Sequence, residues 1–354
     1  MYDKIFPEGL PVSPIKQIKS LNLPVYLYGM GNGAEKMYIV CEDHGIKLSG
    51  VFASDGFKAG KQFLGFAVKS LSEVAADNPN GFVALVCFGC KTPDMRTYLG
   101  KVRKAGGKVF MPHLPLFGGD LFTSEHYVSN YDKIEKAYYL LSDDKSKALY
   151  KDILKYCLTW DPEVLFLGET NSYAFPDFFS DKKIVTAIDG GAYRGDTALS
   201  LSRDLPTIKS ILAFEPDSAN FAKLKEVRIV GVDITCLDEG LYEKNDVLHF
   251  AALKNRGSHF CDEGIEVKVT SVDCAVSEKI DLIKLDVEGC EYSAIIGAKN
   301  TILRDKPALY VSLYHKTDDI YEIPLLINEL CPGYQFAMFR ADVCPAWDII
   351  LLAK

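Results

Sequence analysis

A short apolar segment that runs into a glycine-rich loop, with an acid at each end of the loop, constrains this chain more than any other feature. The stretch at 184–197 is IVTAIDGGAYRGDT, which predicts a buried strand, a tight turn and the start of a helix. Glycine lets backbone N–H groups approach a ligand closely, so a strand, a glycine turn and a helix N-terminus together form a cofactor cradle. This order of elements predicts a fold of the α/β class.

The two acids of the loop discriminate between cofactors. Asp189 precedes the glycines and Asp196 follows them. A dinucleotide pyrophosphate prefers a neutral loop at the positive end of a helix, so these carboxylates would repel it. S-adenosylmethionine carries no phosphate but has an ammonium and a sulfonium, which carboxylates attract. The loop therefore favours S-adenosylmethionine over NAD.

Composition bounds the remaining possibilities. The chain has 354 residues and a net charge of -8, with 48% hydrophobic and 25% charged residues. This length accommodates two domains, and no basic patch in the sequence is dense enough to predict a nucleic-acid partner. The apolar runs are strand-sized, so no membrane span is expected, and the first residues do not resemble a signal peptide. We expect a cytoplasmic protein with reduced thiols, including Cys87 and Cys90, which we interpret as buried structural cysteines.

Strand and helix patterns alternate in both halves of the chain, on either side of a stretch with helical spacing. The pattern predicts a Rossmann-like domain at 1–125, a helical connector at 126–175 and a second Rossmann-like domain at 176–354. Strands are predicted at 25–28, 48–53, 82–88 and 108–111 in the first half, and at 184–188, 209–214, 228–235, 280–285, 308–313, 334–339 and 347–352 in the second.

The second half has the strand pattern of Rossmann-like methyltransferases, which is five alternating strands followed by a closely spaced pair. The strands at 334–339 and 347–352 lie so near each other in the chain that they should pair antiparallel, giving a seven-stranded mixed sheet. Two further β-rich segments, 247–253 and 265–272, lie between the third and fourth strands. They predict an inserted or edge hairpin.

Polar residues follow the second and third strands of this half. Glu215 and Pro216 end the second strand, where an acid is placed to bind both ribose hydroxyls of a nucleoside. A solvated loop acid or a helix N-cap is the alternative for Glu215. Asp238 and Leu241 follow the third strand, where the acid could accept from an adenine amino group and the leucine could pack on the ring. Asp238 and its neighbour Glu239 could as easily be exposed turn residues.

The fourth and fifth strands bring potential catalytic groups to the same edge. Alternation sends Asp286 and Glu288 to one side at the carboxyl end of a central strand, where ligands bind in open α/β sheets. Two carboxylates there are costly unless they hold a cation, a hydroxyl or each other. His315 ends the fifth strand and could accept a proton near neutral pH, although a lone histidine is more often structural. Arg340 could bind an anionic substrate group or form a surface ion pair.

Four stretches of the second half resemble one known family. They are DGGAYRGDTAL, AFEPD, IDLIKLDVEGCEYSAIIGA and LYHKTDDIYEIPLLI, and over 176–354 they are similar to the FkbM-type methyltransferases. The resemblance implies a class I methyltransferase fold, S-adenosylmethionine as cofactor, and methyl transfer to a hydroxyl oxygen of a sugar, glycan precursor or similar small metabolite. The sequence departs from the family pattern at Gly190, where many members have a branched apolar residue, and at 344–347.

The loop, the strand ends and the resemblance together give the predicted site residues. His315 is the first choice for the base that takes the hydroxyl proton, Asp286 is the second, and Glu288 would hold the acceptor or a cation. No ligand set in the sequence is complete enough to assign a metal, and the oligomeric state, a homo-oligomer included, stays open. The predicted cofactor-binding residues are Asp189, Gly190, Gly191, Ala192, Tyr193, Gly195, Asp196, Thr197, Glu215, Pro216, Asp238, Leu241 and Asp286.

The first half matches only the relaxed dinucleotide fingerprint. The run Gly29-x-Gly31-x-x-Ala34, which contains Gly33 and is followed by Asp55, has no acid before or between its glycines, so a phosphate could bind there. An NAD(P)-dependent enzyme that modifies a nucleotide sugar is therefore the alternative function. The half could equally be an empty structural or docking domain, and the whole chain a non-catalytic binding module.

Overall fold

Each half of the chain folds around its own mostly parallel sheet. The computed structural model describes residues 4–55, 62–117, 120–168, 174–251, 259–260 and 265–354. In the first half the helices are α1 (Pro14–Leu21), α2 (Asn32–Asp43), α3 (Leu71–Asp77) and α4 (Thr92–Lys104), and the strands are β1 (Val25–Tyr28), β2 (Leu48–Ala53), β3 (Gln62–Phe63), β4 (Phe66–Ser70), β5 (Phe82–Val86), β6 (Cys90–Lys91) and β7 (Gly107–Phe110).

The first sheet has the strand order β3-β4-β2-β1-β5-β7, with β3 antiparallel to β4 and the other pairs parallel. The four strands predicted here are present, although β5 ends at Val86 rather than at residue 88. Strands β3 and β4 were not predicted because they are short and β4 buries only Val68 and Ser70. Ser70 also caps α3, in a capping box that it forms with Glu73.

The described residues of the next segment form five helices, where the sequence predicts a helical connector. They are α5 (Ser124–Ser129), α6 (Tyr131–Leu140), α7 (Asp144–Thr159), α8 (Pro162–Leu167) and α9 (Ala174–Phe178). Rather than only connecting the halves, helices α6, α7 and α9 pack on elements of the second half. The backbone N–H groups of Phe336 and Met338 donate to the hydroxyls of Ser142 and Ser146, at 2.9 and 2.8 Å, which ties this helical segment to a strand of the second sheet.

The second half contains the larger sheet. Its strands are β8 (Thr186–Gly190), β9 (Ser210–Phe214), β10 (Asp233–Leu237), β11 (Gly240–Leu241), β12 (Asp246–Ala251), β13 (His259–Phe260), β14 (Ile265–Thr270), β15 (Leu282–Leu285), β16 (Ala308–Ser312), β17 (Phe336–Arg340), β18 (Val343–Cys344) and β19 (Ile349–Ala353). Its helices are α10 (Asp196–Asp204), α11 (Ser218–Leu224), α12 (Val272–Ala275), α13 (Glu291–Gly297), α14 (Lys299–Asp305) and α15 (Asp319–Leu330).

The strand order of this sheet is β10-β9-β8-β15-β16-β19-β17. The first five strands are parallel to one another, and β19 is antiparallel to both β16 and β17. The prediction of an α/β fold with a seven-stranded mixed sheet is therefore confirmed.

Two predicted elements of this half differ in the structure. The third strand begins at Asp233 rather than at residue 228, because Ile229 and Val232 form a tight turn that leaves Val230 fully exposed. The segments predicted as a hairpin, 247–253 and 265–272, do pair antiparallel, as β12 and β14, but in a separate four-stranded sheet with β11 and β13. Positions 252–253 of that prediction lie outside the described residues.

The two halves share a continuous apolar core. One cluster of buried side chains includes Phe52 and Phe82 from the first sheet together with Ile188 and Leu285 from the second. The halves are also joined by hydrogen bonds, since β6 pairs antiparallel with β18. None of the helices among the described residues is long and apolar enough to cross a membrane.

Candidate active site

The glycine loop and the predicted catalytic residues meet because β8, β15 and β16 are adjacent and parallel. The backbone N–H of Asp286 donates to the carbonyl of Gly190 at 3.1 Å. At Gly191, where φ is +72°, a Cβ would lie only 1.9 Å from the carbonyl oxygen of Asp286. Only glycine fits this position, so the close approach of the loop to the Asp286 backbone depends on the residue type that the sequence provides.

Asp189 lies beneath the loop rather than on its open side. Its side chain is completely buried, and its Oδ1 atom is 2.9 Å from the ammonium of Lys284, which is also buried. Lys284 donates to the carbonyls of Gly190 and Gly191 as well, at 3.1 and 2.9 Å. The expectation that Asp189 contacts a cationic cofactor directly is therefore corrected: its charge is paired with a lysine, and this ion pair supports the turn.

Glu215 joins the end of β9 to the glycine loop. Its two carboxylate oxygens accept hydrogen bonds from the backbone N–H groups of Tyr193 and Asp217, each at 2.8 Å. Burial raises the pKa of Glu215 to about 7. A carboxylate can accept about four hydrogen bonds, so both oxygens keep capacity for hydroxyl donors such as those of a ribose.

The remaining predicted cofactor residues differ in how much of their surface is exposed. Asp196 and Asp238 are exposed at the start of α10 and the end of β10. Leu241 is only 1% exposed and packs under the loop, where a Cβ on Gly190 would lie 2.8 Å from its Cδ1 atom. The expectation that Leu241 packs on an adenine ring is corrected, because β11 directs this side chain into the core. Gly195, Ala192, Thr197 and Pro216 line the turn and its flanks, buried or half-buried.

His315 is the centre of a cluster of carboxylates. Its side chain is completely buried, and its Nδ1 atom is 2.8 Å from Oε1 of Glu291. On the other side of the ring, Nε2 is 3.3 Å from Oε2 of Glu288 and 3.5 Å from Oδ1 of Asp286. Glu291 was not assigned from the sequence, although it stands in the same run of residues as Asp286 and Glu288, LDVEGCE. The cluster thus contains the three predicted catalytic residues and one additional acid.

The cluster is held rigidly by the turn between β15 and α13. Glu291 is completely buried and accepts hydrogen bonds from the backbone N–H groups of Val287 and Gly289, at 2.7 and 3.1 Å. Glu288 has a positive φ of 53°, which is strained for a residue other than glycine. Strain of this kind is maintained only where the surrounding structure enforces it, and here it belongs to the turn that carries Glu288.

Asp286 and Glu288 are the members of the cluster that a ligand can reach. Their side chains are 35% and 27% exposed, whereas His315 is fully buried. The hydroxyls of Ser312 and Tyr314 donate to Oδ1 of Asp286, at 2.9 and 3.1 Å, and fix the orientation of its carboxylate.

Electrostatics revises the role predicted for His315. Burial disfavours the charged ring, but Glu291, Glu288 and Asp286 outweigh it and raise the pKa of His315 well above its usual value. Burial also disfavours the charged form of Asp286, which acts to raise its pKa. The positive charges of Lys284 and His315 outweigh this effect, so the pKa of Asp286 is lowered. Burial raises the pKa of Glu288 to about 7. In the ligand-free protein His315 is therefore protonated near neutral pH and cannot by itself accept a proton from a substrate.

A loop of the first half reaches the same cluster, which the sequence did not predict. The backbone N–H groups of Leu116 and Phe117 donate to the carbonyl of His315, at 3.0 and 3.1 Å. The ring of Phe117 lies 5.4 Å from the imidazole, between ring centroids. Lys36 of α2 donates to the carbonyls of Pro115 and Leu116, at 2.9 and 2.5 Å, and links this loop to the first sheet.

Two of the glycines predicted to bind a nucleotide in the first half are required by close packing. A Cβ on Gly29 would lie 2.9 Å from the ring of Phe88, and one on Gly33 would lie 2.6 Å from the carbonyl of Cys87. Gly31 faces open space at the start of α2, with φ +118°. Asp55 is exposed at the end of β2. A nucleotide site here stays a prediction.

Two other sequence expectations can be compared with the structure. Arg340 is 1% exposed and donates to the carbonyls of Leu165 and Val343, at 2.9 and 2.7 Å, so the expectation that it binds a substrate anion is corrected. Cys87 is buried and Cys90 is half-buried, and both are free thiols.

Among the described residues, the group of side chains that could hold a metal ion is Asp286, Glu291 and His315.

Comparisons with known proteins agree with this geometry. Residues 189–336 match the family model of the methyltransferase FkbM domain. No curated protein matches the chain. The crystal structure of methyltransferase FkbM from Methylobacillus flagellatus KT is 19% identical, covers 98% of this chain and 94% of its own, and gives a TM-score of 0.74. The fold is therefore shared across both halves.

Other solved structures resemble only part of the chain. The putative rRNA-methylase from Clostridium thermocellum is 10% identical, with a TM-score of 0.33, over 52% of this chain and 94% of its own. The N-methyltransferase NodS from Bradyrhizobium japonicum WM9 is also 10% identical, with a TM-score of 0.31, over 51% of this chain and 91% of its own. Residues 189–336 of this chain are thus similar to the methyltransferase FkbM domain.

Proposed function

We propose that this domain transfers a methyl group from S-adenosylmethionine to a hydroxyl oxygen of a sugar, a glycan precursor or a similar small metabolite. The observation that carries the proposal is the direct backbone contact between the glycine loop and Asp286. A donor bound at the loop and an acceptor bound at the Asp286–His315 cluster would therefore be neighbours at one edge of the sheet.

The donor side follows from the loop and from Glu215. The ribose hydroxyls would donate to the Glu215 carboxylate, which already accepts from the loop through Tyr193. Asp196 and Asp238 are exposed near the same edge and can attract the ammonium and the adenine amino group. With Asp189 paired to Lys284, the selectivity for a cationic donor rests on these exposed acids rather than on the buried one.

The acceptor side follows from the two reachable carboxylates. Carboxylates are strong acceptors, so Asp286 and Glu288 suit a molecule that presents several hydroxyl groups, as a sugar does. Holding the acceptor oxygen in line with the methyl group and the sulfur would supply a large part of the rate. Effective molarities show that positioning is worth roughly 7–11 kcal/mol.

The hydroxyl proton would pass to the cluster as a unit. His315 is already protonated near neutral pH and so cannot act as the base alone. Groups that interact this strongly share their protons, and a proton gained by the cluster belongs to no single member. We therefore assign the proton transfer to Asp286, Glu288 and His315 together, with the imidazolium stabilising whichever carboxylate contacts the acceptor.

Calorimetry and a transfer assay test the proposal. S-adenosylhomocysteine should bind to the wild-type protein and to Glu226→Gln, a surface control on the same domain, and more weakly to Glu215→Gln. Radiolabelled methyl groups should then appear on members of a panel of sugars and hydroxylated metabolites. Binding of NAD without S-adenosylhomocysteine would contradict the proposal, and so would label incorporated only at nitrogen or carbon.

A further inference from the structure

The His315 cluster brings carboxylate oxygens close to both nitrogens of one buried imidazole. One donor atom each from Asp286, Glu291 and His315 lie within 4.8 Å of one another. Oε2 of Glu288 approaches the same imidazole nitrogen as Asp286 does, at 3.3 Å. Three carboxylates around one buried ring are expensive to desolvate, and one imidazolium can neutralise only one of them.

The Nε2 atom of His315 lies beside the carboxylates of Glu288 and Asp286 and cannot turn away. Among the described residues neither contact has the geometry of a hydrogen bond, although Nε2 is completely buried. The ring is held from behind, because Nδ1 is 2.8 Å from Glu291, which the backbone N–H groups of Val287 and Gly289 hold in turn. Nε2 is therefore aimed between Asp286 and Glu288 by a support that does not depend on either of them.

The two distances from Nε2 to the neighbouring carboxylates are close to those between adjacent ligands of one metal ion. A metal bound at about 2.1 Å from each donor places neighbouring donors about 3.0 to 3.4 Å apart in octahedral or tetrahedral geometry. Nε2 of His315 is 3.3 Å from Glu288 and 3.5 Å from Asp286. We propose that His315, Asp286 and Glu288 form a binding site for one divalent transition-metal cation, of the Mn²⁺ or Co²⁺ type.

The ligand types and their supports favour this class of metal. One imidazole nitrogen and two carboxylate oxygens suit first-row divalent ions better than Ca²⁺ or Mg²⁺, which prefer oxygen alone. A histidine that binds metal commonly donates its other N–H to a carboxylate, which is the position of Glu291. Ser312 and Tyr314 fix the Asp286 carboxylate in the same way.

Three protein ligands would leave coordination positions open. The metal would displace the proton from Nε2, because a ligating nitrogen must be deprotonated. If the proposed function holds, the acceptor hydroxyl takes one of the open positions, where the metal would lower its pKa, orient its oxygen and take the place of the imidazolium charge of the metal-free cluster. This part of the inference rests on the proposed function, whereas the cation site itself does not.

Metal binding can be measured without any reaction. The metal-free protein, prepared with a chelator, is titrated with Mn²⁺ alone by calorimetry and with Co²⁺ alone by visible absorption, which reports the coordination geometry. We expect one ion per chain, and at least a tenfold loss of affinity in Glu288→Gln and in Asp286→Asn. Glu226→Gln, an exposed carboxylate on the same domain, should bind as the wild type does.

The possible outcomes separate the two proposals. S-adenosylhomocysteine binding and thermal melting, measured on every variant, show whether each one is folded. Folded wild-type protein that binds S-adenosylhomocysteine but neither metal at millimolar concentration overturns the cation site and leaves the proposed function standing. Metal binding that is equal in Glu288→Gln and in the control also overturns it. Stoichiometric metal binding without S-adenosylhomocysteine binding supports the site and contradicts the proposed function.

Discussion

Glu215 should couple donor binding to pH in the neutral range. Burial raises its pKa to about 7, and ribose hydroxyls would donate more strongly to the ionised carboxylate than to the protonated one. Protonation below this pKa removes an acceptor, so S-adenosylhomocysteine affinity should rise between about pH 6 and pH 8 and then level off. Glu215→Gln should bind roughly 10- to 100-fold more weakly, because hydrogen bonds to charged groups contribute about 1.5–3 kcal/mol. It should also lose most of this pH dependence.

Calorimetry at several pH values checks this, with Glu226→Gln as the matched control. An unchanged pH profile in Glu215→Gln would assign the titration to another group and would remove Glu215 from the ribose contact.

His315 should affect turnover far more than donor affinity. Its ring touches Asp286 and Glu288 on one side and Glu291 on the other, and none of these is in the glycine loop. His315→Ala should lower kcat by roughly 10²–10⁴-fold, the usual contribution of a group that assists proton transfer. The affinity for S-adenosylhomocysteine should change little. Turnover close to that of the wild type would show that the cluster does not need the imidazole.

At the scale of the elements, the turn after β8 leaves no space for a side chain at Gly191. Gly191 has φ +72°, and a Cβ there would lie 1.9 Å from the carbonyl of Asp286. Gly231 has nearly the same φ, +75°, but faces open space. Alanine at either position incurs the cost of a left-handed conformation, on the order of 1–2 kcal/mol. Only at Gly191 must the backbone also move.

The comparison of Gly191→Ala with Gly231→Ala isolates the effect of the clash between a Cβ at position 191 and the carbonyl of Asp286. Gly191→Ala should show the larger loss of stability in urea unfolding and should abolish detectable S-adenosylhomocysteine binding. Gly231→Ala should be only mildly destabilised and should bind normally. Equal effects in the two variants would mean that the loop tolerates a displacement from β15.

Much of the fold and part of the site could be predicted from the sequence, for a common physical reason. Parallel strands bring their carboxyl ends to one edge, so Asp286, Glu288 and His315 could be expected to meet without knowledge of their distances. The pairing of Asp189 with Lys284 was missed, although a lysine within the apolar strand β15 requires a buried counter-charge. In the parallel register these two residues are direct partners.

Glu291 and the loop at 115–117 were beyond sequence reasoning for different reasons. Glu291 begins helix α13, where an acid is favoured near the helix N-terminus whether or not it binds anything. The contact of Leu116 and Phe117 with His315 joins positions about 200 residues apart, and neither local propensity nor periodicity reports contacts between domains.

At the scale of the whole molecule, the first half contributes to the candidate site even if it binds no ligand of its own. Its strand β6 pairs with β18, and a Cβ on Gly89 would lie 2.2 Å from the ring of Trp347. Its loop at 115–117 bonds to the carbonyl of His315. The first half therefore helps to fix the position of the imidazole, and its removal should impair the chemistry rather than only the stability.

Lys36 offers a way to test this coupling without disturbing either core. Its ammonium donates to the carbonyls of Pro115 and Leu116, and so anchors the loop that contacts His315. Lys36→Met keeps the length of the side chain but removes both hydrogen bonds, so the loop should be held less firmly. We expect kcat to fall or the acceptor KM to rise by roughly tenfold, because two hydrogen bonds from a charged donor are lost at a partly buried position.

Lys47→Met, an exposed position of the same half, should leave both parameters unchanged. S-adenosylhomocysteine affinity should be equal in both variants, since the donor loop lies on the other half, and a selective loss of that affinity in Lys36→Met would contradict the assignment of this loop to the acceptor side.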